Sequence, residues 1–279
     1  MNKLKVSVVM ITYGHERYIL DAINGVLNQN INFEIELIIS NDCSPDATDE
    51  IIKNFINNSP KGHMIRYYSQ PNNVGVLPNF IHALKMAKGE YVALCEGDDF
   101  WIDMNKLTMQ VNFLDENLKY VGCFHNTEER YEDSSELASF LMNDFPKARE
   151  ISFKDLTDAN VMATCSVLFR NFDFDTLPSW FKKQRMGDWS LHLLNARNGN
   201  FYFLPKVLAV HRLHQGSTWM LQDHKKNLQY VVDTYNCMIA SESFSLKQKK
   251  LLQRSKRKFT TLHYLTIPIK RFVKSILKL

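Results

Sequence analysis

The stretch Lys5–Thr12, with the sequence KVSVVMIT, is a short run of aliphatic and β-branched residues that ends at polar side chains. Runs of this kind are typical of strands buried inside a sheet. Similar runs recur at Glu34–Ser40 (EIELIIS), Met64–Ser69 and Tyr91–Cys95, and a segment with apolar residues at helical spacing separates each run from the next. Strands that alternate with helices in this way pair in parallel through right-handed crossovers. The sequence therefore predicts an α/β fold with a mostly parallel sheet flanked by helices.

The rest of the 279-residue chain has a less regular pattern. The predicted elements of its middle part are strands at Tyr120–His125 and Val161–Arg170, one or two strands over Phe201–Val210 broken at Pro205, helices at Asn105–Asn117 and Gly187–Ala196, and a charged surface excursion at Thr127–Arg149. From Gln222 onward the pattern is helical, with helices at Asp223–Ser241 and Leu246–Thr260 and a last amphipathic piece at Ile267–Leu279, separated by a break around Pro268. We therefore predict a domain over residues 1–221 and a basic helical extension over residues 222–279.

Polar side chains follow three of the predicted strands at the point where each strand ends, at Thr12-Tyr13, Asn41-Asp42 and Asp98-Asp99. Open α/β sheets bind their ligands in the crevice beyond the carboxyl ends of their strands. Each of the first two pairs, taken alone, is also what an ordinary turn or cap requires. The coincidence of three strand ends predicts one polar crevice.

The segment Glu96-Gly97-Asp98-Asp99 places two adjacent carboxylates after a glycine at a strand end. Adjacent anions repel each other unless a cation neutralises them. Mg²⁺ or Mn²⁺ takes one or two protein carboxylates and completes its shell with phosphate oxygens, and a glycine lets the backbone approach a ligand closely. A solvated turn that caps the next helix explains this motif equally well when the motif is considered by itself.

Four segments together resemble the nucleotide-binding half of the family 2 inverting glycosyltransferases of GT-A fold. Val6–Tyr13 is similar to that family's opening strand, Asn41–Thr48 to its Asp-Gly-Ser-x-Asp-x-Thr segment, Asn73–Tyr91 to the stretch before its metal motif, and Glu96–Asp99 to its Asp-x-Asp motif. The resemblance extends over residues 4–220. It implies a GT-A (Rossmann-like) fold with a nucleotide-binding half at residues 1–117 and an acceptor half at residues 118–221.

The resemblance also implies roles for residues near the nucleoside. Thr12 and Tyr13 are expected to border the nucleobase, Asp42 to accept a hydrogen bond from it, and Asn79 to belong to the same nucleotide-sugar site. A UDP-sugar is the favoured donor. The chain departs from the family pattern at Ile11, Gly14, Cys43 and Glu96, which leaves the base preference open.

At the diphosphate, the resemblance implies that Asp98 faces the ribose and that Asp99 binds the metal, Mg²⁺ or Mn²⁺. The segment Val210–Trp219 is similar to the family's Tyr-Arg-x-His segment, with a histidine in place of the tyrosine. His214 is therefore expected to join the metal or to contact the diphosphate. Arg212 has two equally good interpretations, a phosphate contact or an ordinary loop residue.

The second half of such a site supplies a catalytic base. Met186-Gly187-Asp188-Trp189 opens a predicted helix, and Asp188 resembles the family's base at this distance after the metal motif. A single carboxylate opposite the leaving group takes the proton of the acceptor hydroxyl as the glycosidic bond forms. An Asp at a helix start is also a common N-cap. The constellation as a whole favours the catalytic role.

Charge is distributed unevenly along the chain. The net charge is +4, but Lys247–Leu279 carries eleven Lys or Arg residues and no Asp or Glu, so the remaining chain has a formal charge of −7. Within Ile267–Leu279, apolar residues at helical spacing lie opposite a basic arc, which is typical of a helix on an anionic membrane surface. Packing on the protein body or on a second copy is the alternative interpretation.

Several features favour a cytoplasmic protein, attached peripherally to the inner face of the cytoplasmic membrane. The five cysteines are scattered without a CxxC pair, which argues against a disulfide framework or a cysteine zinc site. Apolar runs stay shorter than the ~18 residues of a membrane span. The first apolar stretch, Val6–Thr12, has the pattern of a strand rather than of a secretion signal.

The hypothesis that unites these features is an inverting glycosyltransferase. It would transfer a sugar from a nucleoside-diphosphate donor to a hydroxyl of a glycan or lipid-linked acceptor, in the assembly of lipopolysaccharide, capsule or a related cell-surface glycan. A metal-dependent nucleotidyltransferase is the enzymatic alternative, but the loop after Thr12 offers only His15, Glu16 and Arg17 to hold a triphosphate. A basic nucleic-acid-binding or membrane-binding protein is the non-enzymatic alternative. The tail lacks interleaved aromatic residues, so we expect no nucleic-acid partner.

Overall fold

The computed structural model describes residues 3–132, 139–214 and 224–276, with residues 224 and 262–276 described in backbone only. The strands form one ten-stranded sheet with the main order β3-β2-β1-β4-β9-β6-β10-β5. Helices cover both faces of this sheet, and two apolar clusters fill the space between sheet and helices. The predicted α/β fold is confirmed.

The first half of the sheet is parallel. Its strands are β1 Val6–Thr12, β2 Ile35–Asn41, β3 Ile65–Ser69 and β4 Tyr91–Leu94, and β1 lies between β2 and β4. β1 and β2 are buried along nearly their whole length, which explains why their sequences are continuous apolar runs without alternation. The parallel pairing places the carboxyl ends of all four strands at one edge.

Four helices accompany these strands. They are α1 Ile19–Leu27, α2 Thr48–Asn58, α3 Val76–Lys85 and α4 Lys106–Glu116. The buried residues of α1, α2 and α4 belong to one apolar cluster, whereas those of α3 belong to the other. The helices therefore divide between the two faces of the sheet, as right-handed crossovers require.

The second half of the sheet is mixed. Its strands are β5 Phe100–Trp101, β6 Gly122–Tyr131, β7 Phe140–Leu141, β8 Arg149–Ile151, β9 Val167–Arg170 and β10 Phe201–Leu213. β9 runs antiparallel to both β4 and β6, while β10 runs parallel to β6 and antiparallel to β5 and β8. The parallel character predicted for the sheet therefore holds for β1 to β4, and antiparallel strands extend the sheet from there.

The elements of this half differ from the predictions in three places. β9 is confined to Val167–Arg170, because the residues before it form a short 3₁₀ helix at Thr164–Ser166. The predicted surface excursion contains the end of β6 and the short β7, and its residues 133–138 lie outside the described part. β10 is a single strand, because a shift of register between Leu204 and Val207 accommodates the proline that was predicted to break it.

The remaining helices are α5 Phe153–Asp158, α6 Gly187–Ala196, α7 His224–Ala240 and α8 Leu246–Ile276, of which α7 and α8 follow the last strand. The backbone of α8 continues through Pro268, so the predicted break there was wrong. A proline removes one helical hydrogen bond, and the turns on either side continue the helix without it. The side chains of Ile267–Leu279, the segment predicted to lie on a membrane, are outside the described part. In the described residues, no helix is both long and apolar enough to cross a bilayer.

Helices α7 and α8 pack into the apolar cluster that contains the buried residues of α5 and α6. Tyr235 of α7 donates a hydrogen bond from its hydroxyl to the carbonyl oxygen of Thr157 at 2.5 Å, and its ring meets Trp189 of α6 edge to face. Leu252 of α8 is fully buried in the same apolar cluster. The hydroxyl of Ser255 donates to Asp158 at 2.6 Å. The boundary at residue 221 stays a prediction, but the described part of the extension shares the core that supports α6.

Two leucines of α8 test this packing. Leu252 is fully buried, whereas Leu246 is 80% exposed. We expect Leu252→Ala to lower the free energy of unfolding by about 2–5 kcal/mol, because it loses apolar burial and leaves a cavity. Leu246→Ala should change that free energy by less than about 0.5 kcal/mol. Urea denaturation followed by circular dichroism measures both, and equal effects of the two substitutions would contradict the packing.

Candidate active site

The loops that follow β1, β2 and β4 are hydrogen-bonded to one another at the carboxyl edge of the sheet. The backbone N–H of Asp42 donates to the carbonyl of Thr12 at 3.0 Å, and that of Gly97 donates to the carbonyl of Ile11 at 2.9 Å. Thr12 is buried, whereas Tyr13 beside it is 45% exposed. The structure therefore brings the three predicted polar segments together, and it leaves the Tyr13 ring available to a ligand.

The side chains of Asp42 and Asn79 are buried near the carboxyl edge of the sheet, and each makes at least two hydrogen bonds. The two carboxylate oxygens of Asp42 accept from the backbone N–H groups of Val74 and Gly75 at 2.7 and 2.9 Å. Asn79 accepts from the hydroxyl of Ser40 at 2.6 Å and donates to the Ser40 carbonyl at 2.8 Å. Both residues shape the loop between β3 and α3. Their contacts with a nucleotide stay predictions.

Asp98 is surrounded by two histidines from distant parts of the chain. The Nε2 atom of His214 lies 3.1 Å from Oδ2 of Asp98, and the Nε2 atom of His15 lies 3.6 Å from the same oxygen. All three ligand-type atoms lie within 4.8 Å of one another. Burial opposes ionisation, but the neighbouring imidazoles hold the pKa of Asp98 below its usual range. The donor set of one carboxylate and two imidazoles fits a divalent metal ion.

Asp99 points away from this group. Its carboxylate is fully buried, its Oδ1 accepts from the backbone N–H of Arg212 at 3.0 Å, and its Oδ2 has no hydrogen-bond partner among the described residues. Burial raises the pKa of Asp99 to about 6, because the charged form is poorly solvated there. Asp99 as the metal ligand stays a prediction, and the geometry favours Asp98 for that role.

Arg212 is buried, and its guanidinium is bound by protein groups. Its guanidinium donates to the carboxylates of Asp21 and Glu132 at 2.6 and 3.1 Å and to the carbonyl oxygen of Asp98 at 3.1 Å. It also lies 4.2 Å from the centre of the Phe100 ring. A phosphate contact of Arg212 stays a prediction. Arg212 ties α1, β6 and β10 to the backbone of the Asp98 loop.

His211 places a positive charge beside Glu96-Gly97-Asp98-Asp99, the acidic motif that follows β4. Its Nδ1 atom lies 2.7 Å from Oε2 of Glu129 on the neighbouring strand. Burial lowers the pKa of His211, but the carboxylates of Asp99 and Glu129 outweigh burial and raise it to about 10. The ring is therefore an imidazolium at neutral pH. Burial and the nearby charges of Asp98, Asp99 and Asp188 also raise the pKa of Glu96 well above its usual range.

Asp188 lies in the first turn of α6, and its charge is one of the causes that raise the pKa of Glu96. Its side chain is half-buried, and its Oδ2 accepts from the amide of Asn160 at 2.9 Å. The N-cap position of α6 is Met186, and no side chain caps this helix end. The alternative interpretation of Asp188 as an N-cap is therefore wrong. Asn160 is a partner that no sequence pattern pointed to.

Close packing fixes the start of α6. A Cβ atom added to Gly187 would lie 2.8 Å from the terminal methyl group of Leu77 on α3, so this helix end packs closely against α3. One turn after Asp188, His192 is fully buried, and burial lowers its pKa to about 4. The ring of His192 is neutral and adds no positive charge beneath Asp188 at neutral pH.

The chain matches the model of glycosyl transferase family 2 over residues 7–176. A putative teichuronic acid biosynthesis glycosyltransferase, TuaG of Bacillus subtilis, is 34% identical over 257 residues, which cover 88% of this chain and 97% of the relative. An uncharacterized protein of Mycobacterium tuberculosis, Rv1520, is 36% identical over 214 residues. The match covers 76% of this chain and 60% of the mycobacterial protein, so the chain spans about three-fifths of that relative's length.

Solved structures with the same fold include two glycosyltransferases. Staphylococcus aureus TarS in complex with UDP-GlcNAc has a TM-score of 0.65 at 17% identity, over 89% of this chain and 70% of that one. The mannosyltransferase PcManGT of Pyrobaculum calidifontis, in complex with GDP-Man and Mn²⁺, has a TM-score of 0.66 at 15% identity, over 92% of this chain and 70% of that one.

The fold is the GT-A fold of glycosyltransferases. The chain belongs to glycosyl transferase family 2. This assignment favours the glycosyltransferase hypothesis over the nucleotidyltransferase and nucleic-acid-binding alternatives.

Substitution of the two adjacent carboxylates separates their roles. We expect Asp98→Asn to abolish Mn²⁺ binding in a protein that still folds, with some loss of stability because the mostly buried carboxylate loses its charged contacts with His15 and His214. Asp99→Asn should keep Mn²⁺ binding but lower the free energy of unfolding by roughly 1–3 kcal/mol, because it buries an amide N–H₂ without an acceptor.

Isothermal titration with Mn²⁺ and urea unfolding, applied to both variants, measure the two effects. An Asp99→Asn variant of wild-type stability that has lost Mn²⁺ binding would instead support Asp99 as the ligand.

Proposed function

We propose that this chain is an inverting glycosyltransferase that moves a sugar from a nucleoside-diphosphate sugar to a hydroxyl group of a glycan or lipid-linked acceptor. The observation that carries the proposal is the position of Asp188. Its side chain is half-buried and bound by the amide of Asn160, and it is close enough to the acidic motif for its charge to raise the pKa of Glu96. An inverting transfer needs a single carboxylate on the side opposite the leaving group.

Asp188 has the geometry of a general base. Oδ2 is held by the Asn160 amide, and Oδ1 accepts no hydrogen bond from the described residues. Oδ1 is therefore the atom that takes the proton of the acceptor hydroxyl while the hydroxyl oxygen bonds to the anomeric carbon and the bond to the diphosphate breaks. Asn160 keeps the carboxylate in the orientation that this transfer requires.

The donor occupies the crevice at the ends of β1, β2 and β4 in this proposal. The exposed ring of Tyr13, next to Thr12, borders the nucleobase, and the buried Asp42 and Asn79 shape the loop against which the nucleoside rests. A UDP-sugar is the favoured donor. TarS has been solved with UDP-GlcNAc and PcManGT with GDP-Man, and these complexes support a nucleotide-sugar in a fold of this kind.

Asp98 and His214 would hold a divalent cation, Mg²⁺ or Mn²⁺, that binds the diphosphate. When bound, the cation offsets the negative charge that develops on the departing diphosphate. The imidazolium of His211 lies beside the same acidic motif and adds a second positive charge from the protein itself. Mn²⁺ in the PcManGT complex supports the choice of metal. The name of TuaG supports a setting in cell-surface glycan synthesis.

Asp188→Asn tests the proposed base. An amide cannot accept the proton, so we expect kcat to fall by about 10²–10⁴-fold, while the donor dissociation constant and the thermal midpoint barely move. Asp233→Asn is the matched control, because Asp233 is an exposed helical aspartate on α7. Its kcat should equal that of the wild type. The assignment falls if Asp188→Asn retains more than about a tenth of wild-type kcat.

We also propose that the basic tail attaches the enzyme to anionic lipid at the inner face of the cytoplasmic membrane. The eleven basic residues of Lys247–Leu279 have no acidic residue among them. On the described part of α8, the side chains of Lys247, Lys250, Arg254, Arg257 and Lys258 are exposed, while Leu252 and Ser255 are buried against the body. The helix therefore separates a charged face from a packed one.

Deletion of residues 267–279 tests the tail. The deletion leaves the packed turns of α8 intact, so we expect an unchanged thermal midpoint and unchanged transfer to a soluble acceptor. Binding to vesicles that contain phosphatidylglycerol should fall at least tenfold, because apolar and basic side chains are lost together. Sedimentation with vesicles at two salt concentrations measures the binding. Wild-type binding by the truncated protein would refute the membrane role of this segment.

A further inference from the structure

His15 is a histidine of the crevice to which the proposed mechanism gives no role. It lies in the loop between β1 and α1, and its Nε2 atom is 3.6 Å from Oδ2 of Asp98. His214 approaches the same oxygen from the end of β10 at 3.1 Å. Ligands on adjacent corners of an octahedral ion, each about 2.1 Å from the metal, lie about 3 Å apart. All three atoms lie within 4.8 Å of one another, so a single ion can contact all of them.

Hydrogen bonding fixes which nitrogen of His15 faces Asp98. The Nδ1 atom lies 3.2 Å from the hydroxyl of Thr12, so this side of the ring is taken by a protein partner. Such a bond on one ring nitrogen is the usual way in which a metal-binding histidine is oriented, with the other nitrogen directed at the ion. The lone pair of Nε2 would repel the carboxylate unless a cation, either a proton or a metal ion, lies between them.

The surrounding backbone holds His15 in this place. The backbone N–H of His15 donates to the hydroxyl of Thr48 at 2.9 Å. A Cβ atom added to Gly97 would lie 2.6 Å from the Thr12 hydroxyl and 3.0 Å from Nδ1 of His15. Only a glycine at position 97 lets the Asp98 loop come this close to His15. The local structure is thus built around the approach of Asp98 to this ring.

We infer that His15 is a third protein ligand of the metal, which makes a site of two imidazoles and one carboxylate that selects Mn²⁺ over Mg²⁺. Mg²⁺ prefers oxygen ligands and retains its water, whereas imidazole nitrogen suits transition-metal ions. Among these ions, Mn²⁺ also accepts the diphosphate oxygens of a donor. The inference rests on the proposed metal site but not on the transfer reaction.

The experiment compares His15→Asn with His63→Ala and with the wild type. Asparagine keeps a polar atom near the position of Nδ1, and hence the bond to Thr12, but removes Nε2. His63 is an exposed histidine outside the crevice and serves as the control. The electron paramagnetic resonance signal of free Mn²⁺, recorded with and without UDP, gives the Mn²⁺ dissociation constants. Competition with Mg²⁺ gives the preference of each protein for Mn²⁺ over Mg²⁺. Electron spin echo modulation from ¹⁴N reports imidazole nitrogen bound to Mn²⁺.

We expect His15→Asn to weaken Mn²⁺ binding by at least about tenfold and Mg²⁺ binding much less, so that the preference for Mn²⁺ falls. The ¹⁴N modulation should decrease, and the thermal midpoint should show a folded protein. His63→Ala should match the wild type in every measurement.

Unchanged Mn²⁺ affinity, selectivity and ¹⁴N modulation in His15→Asn would overturn the inference, and so would a wild type that binds no Mn²⁺ with or without UDP. If the His15→Asn protein does not fold, the same measurements are made on His15→Gln, and the same results support or overturn the inference. Sugar transfer is assayed separately, so the loss of this inference would leave the proposed base and reaction in place.

Discussion

The carboxylates of Glu96–Asp99, which follow β4, repel one another. The groups around them at the carboxyl edge of the sheet must offset this repulsion. Positive or potentially positive groups reach it from several parts of the chain: His15 after β1, and His211, Arg212 and His214 from β10. His15 and His214 both contact Oδ2 of Asp98, and Arg212 donates to the Asp98 carbonyl oxygen. Three of the four groups come from β10 or from the residue that follows it, so β10 contributes most to this edge.

The proposed base, Asp188, must be held at a fixed position for the transfer that we propose. Asp188 is carried by α6, whose first turn approaches α3 at Gly187 and whose buried face packs with Tyr235 of α7. The described part of the extension therefore acts on the site through packing. Burial of Leu252 in the same cluster extends this support to α8. The basic residues lie on the outer face of α8 and the packed residues on its inner face, so the proposed membrane contact would leave this packing intact.

The wall on the donor side is built from hydrogen bonds to the backbone. Asp42 binds the N–H groups of Val74 and Gly75, and Asn79 binds both the hydroxyl and the carbonyl of Ser40. Buried polar groups of this kind are costly unless satisfied, and here the backbone satisfies them. The result is a loop between β3 and α3 whose position is set by two side chains, next to the exposed ring of Tyr13.

The amino-acid sequence by itself determined the α/β class, the strand at Val6–Thr12 and the polar ends of β1, β2 and β4, because buried parallel strands and their turns leave a local pattern of residue types. It also pointed to Asp188 through a family resemblance. Only the tertiary structure decided that Asp98 rather than Asp99 faces the histidines, since two adjacent side chains after a strand point in different directions and the loop geometry selects between them. The approach of His15 and the support of Asp188 by Asn160 depend on contacts between residues far apart in the chain, for which no local pattern exists.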